Sequence, residues 1–124
     1  LGDLMEGRPD VSGVFAGIPA GAAVVALTHE SALWPKLPAA AALTIAGHTH
    51  GGQINPFGMF SPRRFRADSH ALRGAYSEGG RTLFVTPGIG TSILPMRLGV
   101  PPEISRLTLR AVAAPTGRPA PLHP

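Results

Sequence analysis

Ala23-Val24-Val25-Ala26-Leu27-Thr28-His29 and Leu43-Thr44-Ile45-Ala46-Gly47-His48-Thr49-His50 are two short apolar runs, and each ends in histidine. Continuous apolar runs of this length read as buried strands, over residues 23–28 and Leu43–Ala46. About fourteen residues lie between them, and a dozen or more is what a crossover between parallel strands needs, whereas a hairpin needs far fewer. A parallel, adjacent pair stops on one edge of one sheet, so the three histidines that follow, His29, His48 and His50, are expected at that edge.

Outward from this pair the pattern is mixed. Asp10 before Val11, Val14 and Phe15 predicts a capped short helix ending near Gly17 and Pro19. Residues 71–76 and 81–86 flank Ser77-Glu78-Gly79-Gly80 and predict a hairpin, with Leu83 and Val85 inward and pairing stopped at Pro87. Residues 104–112, with Ile104, Leu107 and Leu109 in imperfect alternation, predict a final strand. Residues 51–68 form a long Gly-, Pro- and Arg-bearing segment expected to be a functional loop. Helix, strand, crossover, strand, hairpin and strand together predict an α/β (α+β) fold with a mixed sheet and flanking helices.

Composition agrees. The chain has 124 residues, 44% of them hydrophobic and 15% charged, with no apolar run near the roughly 18 residues of a membrane span. Gly 16 and Pro 14 are about twice the usual share, which excludes an all-helical bundle. Cys 0 excludes disulfides and thiolate zinc sites, leaving histidine and carboxylate as metal ligands. The formal charge of +4 is carried by arginine, Lys36 being the one lysine, and fits nucleic acid, an anionic membrane surface or a phosphorylated substrate. The start, Leu1-Gly2-Asp3, has neither an initiator methionine nor a secretory signal and reads as a truncation; residues 113–124, rich in Pro and Ala, read as a disordered tail.

Ends of neighbouring strands lie about 4.8 Å apart, close enough for imidazoles on them to share a metal centre. Taken singly, each histidine is more readily a backbone cap or a solvent-titrating group. Three of them after two such strands favour metal ligation, at the strand edge where open α/β sheets place ligands. Gly47, Gly51 and Gly52 let the backbone turn sharply enough to aim His48 and His50 at different ions.

Gly47-His48-Thr49-His50 resembles the Gly-His-x-His motif of calcineurin-like metallophosphoesterases. Leu27-Thr28-His29-Glu30 resembles that family's preceding histidine motif, and Gly47-His48-Thr49-His50-Gly51-Gly52-Gln53 resembles the form in its bacterial, often membrane-associated branch. The run from Thr86-Pro87-Gly88-Ile89-Gly90-Thr91 through Arg97 to Pro101-Pro102-Glu103-Ile104 resembles that branch's closing segment. The resemblance implies part of an αββα sandwich over residues 1–112, and hydrolysis of a phosphomonoester or phosphodiester by water activated at two divalent ions (Mn, Fe or Zn). By the family pattern His29 and His48 ligate one ion and His50 the other. The family's earlier motifs, Asp-x-His, Gly-Asp-x-x-Asp and Gly-Asn-His, are absent, and Asn55, the one asparagine, does not stand where a replacement ligand would. Asp3 resembles the stretch that follows those motifs, so the chain reads as the C-terminal half of a domain, inactive without its N-terminal half.

Other features bear on alternatives. Arg63, Arg64, Arg66 and Arg73, interleaved with Phe60 and Phe65, are the densest basic region, but no recognised nucleic-acid motif accompanies them. A non-catalytic Arg-rich phosphate- or nucleic-acid-binding module with structural histidines is one rival reading. A single-zinc hydrolase with His29, His48 and His50 as its ligands and Glu30 as the nearest base is another. His70 and His123 have no ligand-like context.

Overall fold

The computed structural model of the chain describes residues 7–59 and 71–110. Asp10 opens helix α1 (Val11–Ala16) by accepting the Gly13 N–H on its side chain at 2.8 Å, which satisfies a donor that the first turn leaves without a helical partner. Gly17 follows as the closing residue, as the sequence pattern predicts. No residue of α1 is fully buried; Val11 and Phe15 lean on the core.

Strands β1 (Val25–Leu27), β2 (Leu43–Ala46), β3 (Gly74–Glu78) and β4 (Arg81–Val85) make one mixed sheet in the order β1-β2-β4-β3. β1 and β2 are parallel and adjacent, with Val25 opposite Leu43 and Leu27 opposite Ile45; β4 runs parallel to β2 on its other side. The crossover is a 3-10 helix, Ser31–Lys36, with Pro35 inside it. Proline has no N–H for the helical ladder and its ring crowds the preceding turn, which suits a short tight segment better than a long α-helix.

The register sets Ala26, Thr44 and Leu83 side by side on one face, joined there by Ala46 and Val85. Leu33, Trp34 and Leu37 from the crossover, with Ala41 and Ala71, cover that face and complete the core. Arg81 fastens the cover: its guanidinium donates to the carbonyl oxygens of Trp34 at 3.3 Å and Leu37 at 2.7 Å and lies 5.2 Å over the Trp34 ring. On the opposite face Val25 and Leu27 are 44% and 63% exposed.

The hairpin forms, in a shifted frame. Its turn is the pair Gly79-Gly80, at φ 57° and 75°, the left-handed values a two-residue turn between twisted strands requires. Ser77 and Glu78 are therefore ladder residues, and β3 begins at Gly74. Leu83 and Val85 are fully buried and β4 stops two residues before Pro87, as expected.

The final strand over 104–112 does not form within the described residues, which run to Arg110. Residues 104–110 carry no regular element, and Ile104 and Leu109 are 86% and 65% exposed. Positions 104, 107 and 109 break the period of two, so no strand register turns all three to one side. Of the long loop, His50–Gly52 and Pro56–Gly58 are 3-10 turns, and an isolated bridge joins Ile54 to Leu98. Phe60, Arg63, Arg64, Phe65, Arg66 and His70, and the tail over 113–124 with His123, lie outside the described residues.

Candidate metal centre

The parallel ladder continues past the strand ends. Thr28 N–H donates to the Ile45 carbonyl and Gly47 N–H to the His29 carbonyl, both at 3.0 Å, so the chain leaves β1 and β2 side by side. His29 and His48 consequently meet: His29 Nε2 is 2.8 Å from His48 Nδ1, the ring centroids are 4.7 Å apart, and the planes cross at 74°. Two nitrogens held at ~2.0–2.1 Å from one ion, at angles between square and tetrahedral, sit about 2.9–3.4 Å apart. The observed separation is a slight opening short of that, so the pair fits a shared divalent cation.

His50 is placed differently. Its Nδ1 lies 2.9 Å from Gln53 Oε1. Among the described residues no group of three or more His, Cys, Asp or Glu side chains is arranged to hold one metal ion. Two of the three expected histidines are thus brought into contact, and the three together do not form the ligand set of a single-zinc site. Glu30 is no base for such a site either: it is 2% exposed, its Oε1 has no hydrogen-bond partner among the described residues, and it does not line the cleft beside His48 and His50.

Backbone strain is concentrated here. His48, His50 and Gln53 have φ of 69°, 49° and 41°, left-handed values that non-glycine residues adopt where the surroundings over-determine them and that cluster at functional sites. Gly51, at φ 66°, is buried so closely that a Cβ there would stand 2.8 Å from Val100 Cγ1 and 2.9 Å from Pro87 Cβ. Thr49 ties the same turn to the chain before β3, its hydroxyl donating to the Leu72 carbonyl at 2.6 Å.

The closing segment braces the turn from outside. Arg97 donates to the carbonyl oxygens of Pro87 at 2.7 Å, Gly90 at 2.9 Å and His50 at 3.2 Å. Gln53 holds Ser92 by two hydrogen bonds, Ser92 N–H to Oε1 at 2.7 Å and Nε2 to the Ser92 carbonyl at 3.0 Å. A cleft of about 350 Å³ results, with His48, His50 and Gln53 on one wall and Ser92, Ile93 and Leu94 on the other. A larger hollow, about 570 Å³, lies beside Arg73, Tyr76, Phe84 and Glu103 and has no histidine among the described residues of its wall. Sequence reasoning assigned no role to Gln53 or Arg97. The available signals were an amide three residues after His50, inside a glycine turn, and one arginine in the otherwise uncharged run 89–98.

The uncharacterized metallophosphoesterase YkuE of Bacillus subtilis is 33% identical over 115 residues, 90% of this chain and 39% of the relative. An uncharacterized metallophosphoesterase of Campylobacter jejuni is 35% identical over 105 residues (82% of this chain, 27% of the relative), and one of Helicobacter pylori is 37% identical over 68 residues (54% and 17%). No family model and no solved structure matches. The chain belongs to the calcineurin-like metallophosphoesterase family, and its four-stranded mixed sheet is consistent with a part of that family's sandwich. It spans 39% of the length of the Bacillus relative.

Proposed function

We propose that this chain supplies the His29, His48 and His50 share of a binuclear site for metal-dependent hydrolysis of a phosphoester, the remaining ligands coming from an N-terminal half outside these 124 residues. The observation that carries this reading is the 2.8 Å approach of His29 Nε2 to His48 Nδ1 across neighbouring strand ends. Two bound divalent ions, Mn, Fe or Zn, would supply an activated water and a clamp on the attacking and leaving oxygens. The chain's own residues do the positioning. The ladder from Thr28 to Gly47 holds His29 and His48 together, and the left-handed turn sets His50 aside for a second ion. Three imidazoles shared between two ions leave each short of ligands, and two cations at short separation repel unless a carboxylate stands between them. Weak metal affinity and little turnover are therefore expected of this chain alone.

The test is hydrolysis of a generic aryl phosphodiester under metal titration, comparing the 124-residue chain, a form extended upstream of Leu1, and His48→Ala in the extended form. Metal-dependent turnover should appear with the extension and vanish with His48→Ala. Full metal-dependent activity in His48→Ala, or equal activity in the short and extended chains, overturns the proposal. Phosphate binding that survives a chelator would favour the Arg-rich binding module instead.

A further inference from the structure

We propose that Gln53 is a positioning residue for His50: its amide fixes the imidazole as the Nδ1–H tautomer and so presents Nε2, with its lone pair, to a divalent cation. The second half of this statement rests on the reading of His50 as a metal ligand.

Which end of a glutamine amide is oxygen is ordinarily inferred from its neighbours, and here backbone groups decide it. Ser92 N–H can only donate, and it faces Oε1 at 2.7 Å. The Ser92 and Leu94 carbonyls can only accept, and both face Nε2 at 3.0 Å. Exchanging the two ends would set donor against donor once and acceptor against acceptor twice. Oε1 therefore also faces His50 Nδ1, at 2.9 Å, and an oxygen with no proton can only accept. Nδ1 must carry the hydrogen. In a neutral imidazole the other nitrogen is then bare, which is the form a metal ligand needs, its remaining N–H held by an acceptor behind it.

Gln53 is itself firmly held. Its N–H donates to the His50 carbonyl at 3.1 Å, its carbonyl accepts Leu98 N–H at 3.0 Å, and its φ is the left-handed 41°. Side chain and backbone thus close a loop between the histidine and the segment 92–98. Because the acceptor is an uncharged amide, it selects a tautomer without adding a negative charge beside the ion.

The imidazole nitrogen shifts of His50, read by long-range proton–nitrogen NMR in the metal-free 124-residue chain above the histidine titration range, report the tautomer directly. The expected result is a protonated Nδ1 and a bare Nε2. Gln53→Leu removes the acceptor and should return His50 to a mixture richer in Nε2–H; Gln53→Glu gives up the two bonds to the Ser92 and Leu94 carbonyls but keeps an oxygen that accepts from Nδ1, and should retain the Nδ1–H form. A wild-type His50 with its hydrogen on Nε2, or an unchanged tautomer in a folded Gln53→Leu chain, overturns the role of Gln53. Should Gln53→Leu not fold, the wild-type and Gln53→Glu spectra still decide the question. Zn²⁺ is then titrated by calorimetry: affinity should fall about 10- to 100-fold in Gln53→Leu and should not fall in Gln53→Glu, which keeps the acceptor and adds a negative charge. Zinc binding that leaves the His50 Nε2 signal unmoved overturns the reading of His50 as a ligand, independently of the tautomer result.

Discussion

Gly51→Ala puts the turn between His50 and Gln53 to a quantitative test. A left-handed alanine costs about 1–2 kcal/mol, against which Gly51 at φ 66° is immune. The added methyl would stand 2.8 Å from Val100 Cγ1 and 2.9 Å from Pro87 Cβ, and Val100 and Pro87 are buried, so neither moves freely. Overpacking of this kind costs about 1–3 kcal/mol. Stiffening the unfolded chain offsets about 0.4–1 kcal/mol. The net loss is about 1–5 kcal/mol, or roughly 4–18 °C in Tm for a domain of this size. Urea and thermal unfolding can be followed by the fluorescence of the single tryptophan, Trp34, which is 1% exposed in the fold. Gly17→Ala is the control: φ there is −89°, and a Cβ meets nothing within 4 Å. If Gly51→Ala unfolds at the wild-type midpoint, the left-handed turn packed under Val100 is wrong.

Three further outcomes are expected. Leu83→Ala, in the fully buried centre of β4, should cost about 2–5 kcal/mol, whereas Ile104→Ala, 86% exposed, should stay within about 0.5 kcal/mol; equal effects in urea unfolding would contradict the absence of a final strand. Burial pushes the phenol of Tyr76 above its ordinary value, and its O–H donates to the Arg73 carbonyl at 3.0 Å, a bond that only the neutral phenol can make. As pH rises past 10 the unfolded phenol ionises first, so the stability this group contributes is present below pH 10 and lost as pH climbs through the raised value. Tyr76 is the only tyrosine, so phenolate absorbance reads it alone, and Tyr76→Phe should flatten that alkaline limb. Arg97→Lys keeps the charge but not the fork that reaches three carbonyls, and should cost about 1.5–3 kcal/mol, with faster amide exchange over 87–98.

The parallel pair was legible because its two signals, apolar run length and crossover length, are local and independent of what covers the sheet. The N-cap at Asp10 was legible for the same reason. The hairpin was read with the right residues and the wrong frame. Two adjacent glycines already satisfy a two-residue turn, and cross-strand pairing then claims Ser77 and Glu78, which composition alone counts as turn formers. Residues 104–110 misled because β-propensity at Ile104, Leu107 and Leu109 describes a surface waiting to be packed, and the described residues do not pack it. At the site, the meeting of His29 and His48 followed from strand adjacency. Gln53 and Arg97 did not, since their roles depend on backbone carbonyls some 40 residues away in sequence, or brought near only by the closing loop.

The left-handed backbone at His48 and His50 separates what the fold wants from what the site wants. Glycine at either position would relieve about 1–2 kcal/mol of left-handed strain and add about 0.5–1 kcal/mol of chain entropy. It would also forfeit at least one hydrogen bond, worth about 0.5–1.5 kcal/mol, and at His48 the ring contact with His29 as well. At His50 these terms nearly cancel, so folding has almost no stake in its imidazole. A library of variants sorted for thermal stability alone would let His50 drift while guarding Leu83, Trp34 and Gly51 closely. On the proposal that both histidines ligate metal, it is a sort on metal binding that would hold them in place.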